Sequence, residues 1–455
     1  MLKIDVEQLQ SVEMRRILEH LIEKHSPAHA EMLQDYYIGE HGIKNRKMAD
    51  PTKPNNKIVN NLAAYITDTL TGYFMGKPVA YSAGEGDDEY LDTLTQLLDD
   101  NDEQDHNAEL AKGQSVQGVD YELLYLDEEA NVRFANMNRQ SIIYVETDDV
   151  AAEPALAVRI YDIDVIGGEV RHYYDVYTDT EIITYEMVTE NQTKSLTERT
   201  RVPHFFGGVP VVAYMNNEEM LGDFEGVLTL IDAYNKAQSD TANDFEYFTD
   251  AYLKLTGITL DDEQIVTMKE NRVIGLPDKE CDAGFLIKDI NDAALENYKN
   301  RLRKDIHALS KTPNLTDEQF TGQLSGVAIA YKMWGMEQIA AMKERKFKKG
   351  LQRRLELITN ILNLKGKQYD WKSINITFTR NMPQNLVETV QMVTQLKGIV
   401  SDETLLAQLP FVEDVAGELE LLEASKETID LDNIQMINPV GGDEEDEPTE
   451  RSNEG

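Results

Sequence analysis

The chain has 455 residues, and its 83 acidic and 44 basic side chains give a formal net charge of -39. This length, with 41% apolar residues, predicts several folded regions, and the charge predicts that free DNA is repelled on average. The single cysteine, Cys281, excludes an intrachain disulfide and a thiolate zinc cluster, and the lack of a signal-peptide start or a ~20-residue apolar run favours a protein that is neither exported nor membrane-embedded.

The first 190 residues alternate between helical and strand-like patterns. Ser26 and Pro27 predict the start of a helix that ends near Gly39, and apolar spacing predicts a second helix over residues 58–74. Short β-branched runs over residues 121–188 predict an antiparallel meander, in which Gly167 and its neighbour Gly168 supply the positive φ angles of a hairpin turn.

Residues 226–255 carry apolar side chains at three- to four-residue steps with no internal Pro or Gly. They predict one helix roughly 45 Å long. Its middle is polar, with Asn235, Lys236, Gln238, Ser239, Asp240, Thr241, Asn243 and Asp244. Because such a stretch offers little to an apolar core, we expect this part of the helix to need partners outside its own subunit.

The following segments predict a helical hairpin around a small β insertion. Two short strands are expected at residues 272–276 and 284–288, and a helix at residues 292–310. A polar loop over residues 312–324 then precedes a long helix that starts at Ser325 and continues to about residue 362.

The last quarter predicts small elements and an acidic tail. The expected elements are a strand at 374–379 and helices at 384–397, 401–409 and 412–424. Residues 443–447 are five consecutive acids, and the tail beyond residue 431 has too little apolar content to offset its ordering entropy. We predict that this tail is disordered.

Motifs of catalytic and nucleotide-binding sites are missing. The chain has no phosphate loop, G-x-G-x-x-G, H-E-x-x-H or G-x-S-x-G sequence, so no catalytic, metal or cofactor site is predicted. His25 and His29 have zinc-ligand spacing, but Pro27 places His25 outside the helix. The acid pairs could bind magnesium for a nuclease, although in so acidic a chain a solvated surface is favoured; they are Asp87-Asp88, Asp148-Asp149 and Asp261-Asp262.

One basic cluster runs against the overall charge. It comprises Lys343, Arg345, Lys346, Lys348 and Lys349. These side chains could meet the acidic face of a neighbouring subunit, contact DNA phosphates, or form a solvated helix face, and the sequence leaves the three readings open. No Arg-rich run with interleaved aromatic residues indicates sequence-specific readout of nucleic acid.

Several segments in order resemble the portal proteins of tailed double-stranded DNA bacteriophages, in the long-tailed branch that infects Gram-positive hosts. The most specific are Tyr-Tyr-Ile-Gly at 36–39, His-Gly-Ile at 41–43, Arg46, Pro-Asn-Asn-Lys-Ile-Val-Asn-Asn at 54–61 and Gly-Tyr-Phe-Met-Gly-Lys-Pro-Val at 72–79. Further segments are residues 230–234, 344–346, 350–351, 377–380, 410–412 and 418–419. The resemblance covers nearly the whole chain and is weakest in the meander and the small insertion.

This resemblance implies an α+β, mainly helical fold with portal-like wing, stem, clip and crown regions and about twelve copies in a ring. The implied boundaries are wing 1–221, first stem helix 222–256, clip 257–290, second stem helix 291–311, tunnel loop 312–324, wing helix and strand 325–383, crown 384–430 and acidic tail 431–455. The antiparallel meander belongs to the wing in this scheme.

The implied role is a structural, non-enzymatic channel at the unique capsid vertex of the virion, first assembled in the host cytoplasm. Double-stranded DNA passes through it during packaging and ejection without sequence-specific contacts. The implied partners are terminase large subunit, head-completion or adaptor proteins, and major capsid and scaffolding proteins, with no membrane. From spacing and resemblance we hypothesise that the tunnel is lined by Thr316, Asp317, Glu318, Gln319, Asp240 and Asp244.

Two alternatives stay open at this point. Another head–tail morphogenesis protein, such as a minor head protein or adaptor, would also form or bind a ring. A metal-dependent DNA-processing enzyme would use the acid pairs, although the missing catalytic motifs argue against it.

Overall fold

The computed structural model describes residues 2–51, 53–84, 86–168, 170–190, 193–249, 252–259, 261, 263–266, 276, 280–286, 292–316, 326–382, 386–406, 408–409, 412, 415, 417–419 and 421–422. The chain divides into two compact units. The larger unit contains residues 1–322 and 330–382, and the smaller contains residues 323–329 and 383–455.

The helices and strands of the described residues largely fall into separate runs along the chain, as is typical of an α+β fold. The helices are α1 Val6–Ser11, α2 Met14–Lys24, α3 Ala28–Tyr37, α4 Leu62–Met75, α5 Asp88–Asp99, α6 Glu103–Gln117, α7 Leu228–Thr249, α8 Asp292–Leu309, α9 Gly326–Leu364, α10 Leu386–Leu396 and α11 Asp402–Leu406. The strands are β1 Leu2–Ile4, β2 Ala80–Ala83, β3 Val119–Leu126, β4 Val132–Met137, β5 Ile142–Thr147, β6 Pro154–Asp164, β7 Val170–Tyr177, β8 Glu181–Glu190, β9 Thr193–Pro203, β10 Val211–Met215, β11 Tyr252–Thr256, β12 Asp282–Leu286 and β13 Ile374–Thr377.

The predicted meander is confirmed as the antiparallel run β5-β6-β7-β8-β9, to which β1 adds in parallel at the free edge of β5. Gly167 has φ +74° in the turn between β6 and β7, which is the left-handed conformation that favours glycine. Strand β3 is not part of this sheet. It lies between β10 and β4 in a separate three-stranded sheet.

Three apolar clusters are buried among the described residues of the larger unit, and two of them involve the helices α9 and α2. In the first, α9 contributes Phe347 and Leu351, which are buried with Phe74 of α4, Leu110 of α6 and Phe134 of β4. In the second, one face of α2 covers the meander sheet, where the buried residues include Ile17, Leu18, Leu21, Val145, Leu156 and Val158. Burial of this apolar surface is the main favourable contribution to folding.

A charged network lies inside the first cluster. The guanidinium of Arg354, which is fully buried, donates from Nε to Glu122 and from Nη1 to Glu103, both at 3.0 Å. Glu122 also accepts from Tyr214 Oη at 2.9 Å, and its other oxygen lies 2.7 Å from His106 Nε2. Desolvation alone would raise the pKa of Glu122, but Arg354 and His106 lower it to about 2. The fold therefore keeps this carboxylate ionised in an apolar core.

The long helices at residues 292–310 and from Ser325 are confirmed by α8 and α9. The helix predicted over 226–255 is wrong at its end, because Leu255 lies in β11 and pairs with Ala283 of β12. Tyr252 and Leu255 fit helical spacing equally well, but the β-hairpin satisfies their backbone groups.

The helix predicted from residue 58 begins at Leu62. The side chain of Asn61 accepts from the Ala64 N–H and caps the helix, so residues before it are left extended. The strand predicted at 284–288 overlaps β12. Of the strand predicted at 272–276, only residue 276 is described. Of the helix predicted at 412–424, residues 412, 415, 417–419 and 421–422 are described, and all of these except 412 are helical. The tail after 431 lies outside the described residues.

Candidate assembly and channel surfaces

Helices α7 and α8 pack against each other, and the chain between them includes the β11–β12 hairpin. Each helix is anchored in the larger unit by buried apolar residues, Ile231 on α7 and Leu302 and Ile306 on α8. Beyond α8, the hydroxyl of Tyr65 donates to the carbonyl of Pro313 and accepts from the N–H of Leu315, both at 2.9 Å. This fixes the chain where it enters the predicted tunnel loop.

The polar middle of α7 binds an extended segment from the N-terminal part of the chain. Asn243 accepts a hydrogen bond from the Asn56 backbone N–H at 2.7 Å. Ser239 accepts from the Ile58 N–H at 2.9 Å. One turn further, Asn235 accepts from the Asn60 N–H at 2.8 Å. We call these three contacts the polar ladder.

The polar ladder works because two repeats nearly coincide. Its acceptors recur every four residues along α7, a rise of about 6.0 Å in a helix, and its donors recur every two residues, a rise of about 6.6 Å in a strand. Successive donors and acceptors therefore stay opposite each other over the three contacts, and neither the helix nor the extended segment has to bend. The acceptors are buried, with Asn235 and Ser239 at 0% and Asn243 at 8% exposure.

For three of the eight polar residues in the middle of α7, these contacts correct the prediction that they need partners outside their own subunit. Asn235, Ser239 and Asn243 are satisfied by residues 56–60 of the same chain. A buried backbone N–H needs an acceptor, and the side chains of α7 provide one at every second residue of the extended segment. These three polar residues are thus part of a contact within the subunit.

Charged and aromatic side chains flank the ladder. Arg46 forms an ion pair with Asp240 at 2.6 Å and donates to the carbonyl of Asn56 at 2.7 Å. The ring of His41 lies between Asn235, whose Nδ2 donates to its Nδ1 at 2.8 Å, and the carbonyl of Tyr36 at 2.9 Å. Since Nδ1 accepts, Nε2 carries the proton that it donates to Tyr36.

Tyr36 itself reaches the first turns of α7. Its hydroxyl donates to both carboxylate oxygens of Asp232 at 2.9 Å. Desolvation and then the Asp232 carboxylate raise the pKa of Tyr36 to about 12. Tyr36, His41 and Arg46 together hold the N-terminal segment along α7.

The predicted tunnel residues occupy different environments. Asp240 is 49% exposed but ion-paired with Arg46, so its charge is compensated. Asp244 is partly exposed on the same helix. Thr316 is exposed, and its hydroxyl donates to Asn314 at 2.7 Å. Asp317, Glu318 and Gln319 lie outside the described residues.

The residues of the predicted basic cluster lie on different faces of α9. Lys343 is 1% exposed and pairs with buried Asp223 at 2.5 Å, which removes it from any surface that contacts DNA or a neighbour. Lys346 pairs with Glu218, and Lys348 donates to the carbonyl of Ile376 at 3.0 Å. The two exposed members are Arg345 and Lys349. Helical geometry alone sends residues 343 and 345 to different faces.

The two histidines with zinc-ligand spacing each contact another part of the chain. His25 lies 3.0 Å from the carbonyl of Gln140, and His29 contacts Glu225 at 2.8 Å. Within the described ranges, no group of three His, Cys, Asp or Glu side chains is placed to hold a metal ion. The same part of the chain contains no helix that is both long and apolar enough to cross a membrane.

Comparison with known protein families shows the family of this chain. The family model described as phage portal protein, SPP1 Gp6-like, matches residues 18–431. The chain belongs to this portal family.

Curated portal proteins are similar over nearly the whole portal chain. That of Bacillus phage SPP1 is 28% identical over 465 aligned residues, covering 95% of this chain and 91% of the relative. That of Clostridium phage phiCD119 is 24% identical over 417, covering 86% and 91%. Two solved neck structures of GTA particles, an empty one computed with C6 symmetry and a native one computed with C12 symmetry, give TM-scores of 0.45 and 0.43 at 12% identity, each covering 77% of this chain and 90% of the other.

The segments on which the portal resemblance was based now have a structural role. Residues 54–61 include the donors of the polar ladder, and Tyr36, His41 and Arg46 flank it. This contact was not predicted from the sequence. The signal was a polar residue every four positions in one segment and an Asn-rich extended run in another, but nothing in the sequence joined the two.

Proposed function

We propose that this portal-family chain forms a ring of about twelve copies at the unique capsid vertex and provides the channel for DNA packaging and ejection. The match of residues 18–431 to the portal family carries the proposal. The α7–α8 pair would form the stem, β11–β12 part of the clip, α9 the wing helix and α10–α11 part of the crown. The ring would act structurally, without catalytic residues of its own.

The same ring would be a docking platform. Terminase large subunit would bind it during packaging, and head-completion or adaptor proteins would bind it afterwards. Capsid and scaffolding proteins would contact its outer part, with assembly in the host cytoplasm and the virion as its final location. These partners are proposed from family membership.

The acidic composition fits a passage for DNA. A wall that attracted phosphates would hold DNA by many ion pairs, whereas a wall of like charge allows it to slide. Because Arg46 compensates Asp240, we place the repulsive charge mainly at Asp317 and Glu318.

Negative-stain microscopy and light scattering of the purified chain test the ring directly. We expect a closed ring with an axial channel and a mass of about twelve copies, and a protein that stays monomeric at all concentrations would refute the proposal. For the channel charge, Asp317→Lys with Glu318→Lys should impair DNA packaging or ejection. The matched control replaces two neighbouring exposed acids, Glu128 and Glu129, by Lys. Equal DNA filling in both variants would contradict the assignment of Asp317 and Glu318 to the channel wall.

A further inference from the structure

One face of α9 presents large apolar side chains to solvent. Tyr331 is 77% exposed, Trp334 62% and Met342 50%. Exposed Gln338 lies between them, so the steps are three, four and four residues, which place all four on one stripe of the helix. We call this stripe the α9 outer face.

The opposite face of the same stretch is firmly packed. Met333, Met336 and Ala340 are at most 6% exposed. The helix is thus held against its own subunit, so its packing fixes the orientation in which Trp334 is exposed. Single exposed apolar residues are common on soluble proteins, but a contiguous stripe of large ones usually marks an interaction site.

Two positively charged side chains extend the α9 outer face toward the C-terminal end of the helix. Arg345 and Lys349, the exposed members of the basic cluster, follow Met342 at steps of three and four residues. A partner that covers the stripe must therefore offer apolar contact next to carboxylates. With 83 acidic against 44 basic side chains, a second copy of this chain has that charge, while DNA would match the cations and leave the tryptophan and methionine without apolar partners.

We infer that the α9 outer face binds a second copy of the chain, with Trp334 as its apolar anchor and Arg345 and Lys349 facing carboxylates of that copy. The inference rests on the proposed ring and assigns one of its contact surfaces. A ring is closed by head-to-tail contacts, so the surface that receives Trp334 is a different patch of the neighbouring copy. Buried aromatic residues dominate the energetics of such contacts.

Tryptophan fluorescence tests the contact in the full-length protein. The chain has two tryptophans, and Trp371→Phe leaves Trp334 as the reporter. Acrylamide quenching is measured in dilute monomer and in the assembled fraction identified by light scattering. We expect a blue shift and a several-fold drop in quenching of Trp334 on assembly.

The other outcomes separate this inference from the proposed ring. Assembly with Trp334 still fully quenched would overturn the inference and leave the ring intact. Shielding of Trp334 already in the monomer would overturn it too, because the chain's own residues would then cover the face. If no assembly occurs at any concentration, the proposed function fails and the inference with it.

Substitution gives an independent test. Trp334→Ala should raise the dissociation constant of the subunit contact at least about 30-fold, the effect of losing an interface anchor. Its folding is checked by an unchanged melting temperature of the monomer. The control is Ile166→Ala, since Ile166 is fully exposed in the β6–β7 turn; equal assembly of the two variants would contradict the inference.

Discussion

The side chain of Asn235 accepts a hydrogen bond from the backbone N–H of Asn60 at 2.8 Å, across 175 positions of sequence. It joins a helix to an extended segment that has no sheet partner at that point. The same side chain donates to His41 at 2.8 Å. Both groups of Asn235 are therefore used in a site with 0% exposure.

Replacement of Asn235 by Ala should destabilise the chain by about 2 to 3 kcal/mol, because a buried N–H and an imidazole nitrogen both lose their partner. Hydrogen exchange should show faster exchange of the Asn60 amide, and calorimetry a lower melting temperature. Lys236→Ala, at an exposed position on the same helix, is the control. Equal effects of the two substitutions would mean that the polar ladder contributes little.

Lys343 and Lys349 come from the same basic cluster but should respond differently to removal of their charge. Lys343→Met leaves Asp223 buried without its cation and should cost about 3 to 5 kcal/mol. Lys349→Met, on the exposed side of α9, should change the unfolding free energy of the monomer by less than about 0.5 kcal/mol. Urea unfolding of both monomeric variants measures the difference, and comparable values would contradict the assignment of Lys343 to the core.

Two glycines of α9 provide a matched steric test. A Cβ at Gly350 would lie 2.5 Å from Cε1 of fully buried Tyr214, whereas one at Gly335 would lie 3.4 Å from Cβ of Lys311. Gly335→Ala should therefore stabilise the helix by up to about 1 kcal/mol, and at Gly350 the clash should outweigh this gain and cost about 1 to 3 kcal/mol. Opposite shifts in melting temperature are expected, and a rise for Gly350→Ala would show that Tyr214 can move away.

Asp120 should make stability depend on pH. It is 3% exposed, and one carboxylate oxygen has no hydrogen-bond partner. Burial raises the pKa of Asp120 well above its ordinary value of 3.8. A raised folded-state pKa means that its contribution to stability is fully present below pH 3.8 and is lost as pH rises through the folded-state value.

Asp120→Asn keeps the shape and removes the charge, so it should raise the melting temperature at pH 7. The gain should shrink as the pH is lowered toward 4, where the wild-type carboxyl is increasingly protonated. Asp105→Asn, at an exposed site on α6, corrects for the general benefit of removing one negative charge from an acidic chain. A gain that is the same at both pH values would show that Asp120 is not protonated on folding.

Local patterns predicted the elements with strong periodicity. The helices α8 and α9 and the turn at Gly167 follow from apolar spacing and from glycine chemistry. The end of α7 was not predictable, because Tyr252 and Leu255 fit helical and strand spacing, and only pairing with β12 decides between them.

The candidate site was less predictable than the fold, because its contacts join distant parts of the chain. The composition of α7 showed polar residues in its middle but not which segment binds them. Likewise, the basic cluster was visible in the sequence, while the burial of Lys343 depends on Asp223, which lies 120 positions away. For Asp317 and Glu318, the proposed channel role remains a prediction.

In the polar ladder, donors and acceptors have nearly the same spacing, and this regularity makes the alignment of the extended segment along α7 less specific. Every rung of the polar ladder joins a backbone N–H to a side-chain oxygen, so a slide of the extended segment by two residues along α7 would present an equivalent donor to most acceptors. The backbone contacts alone therefore hold the segment without fixing its alignment. The alignment depends on contacts that such a shift would break: Arg46 bridges Asp240 and the carbonyl of Asn56, and the Asn56 side chain donates to Asn243 and Glu246.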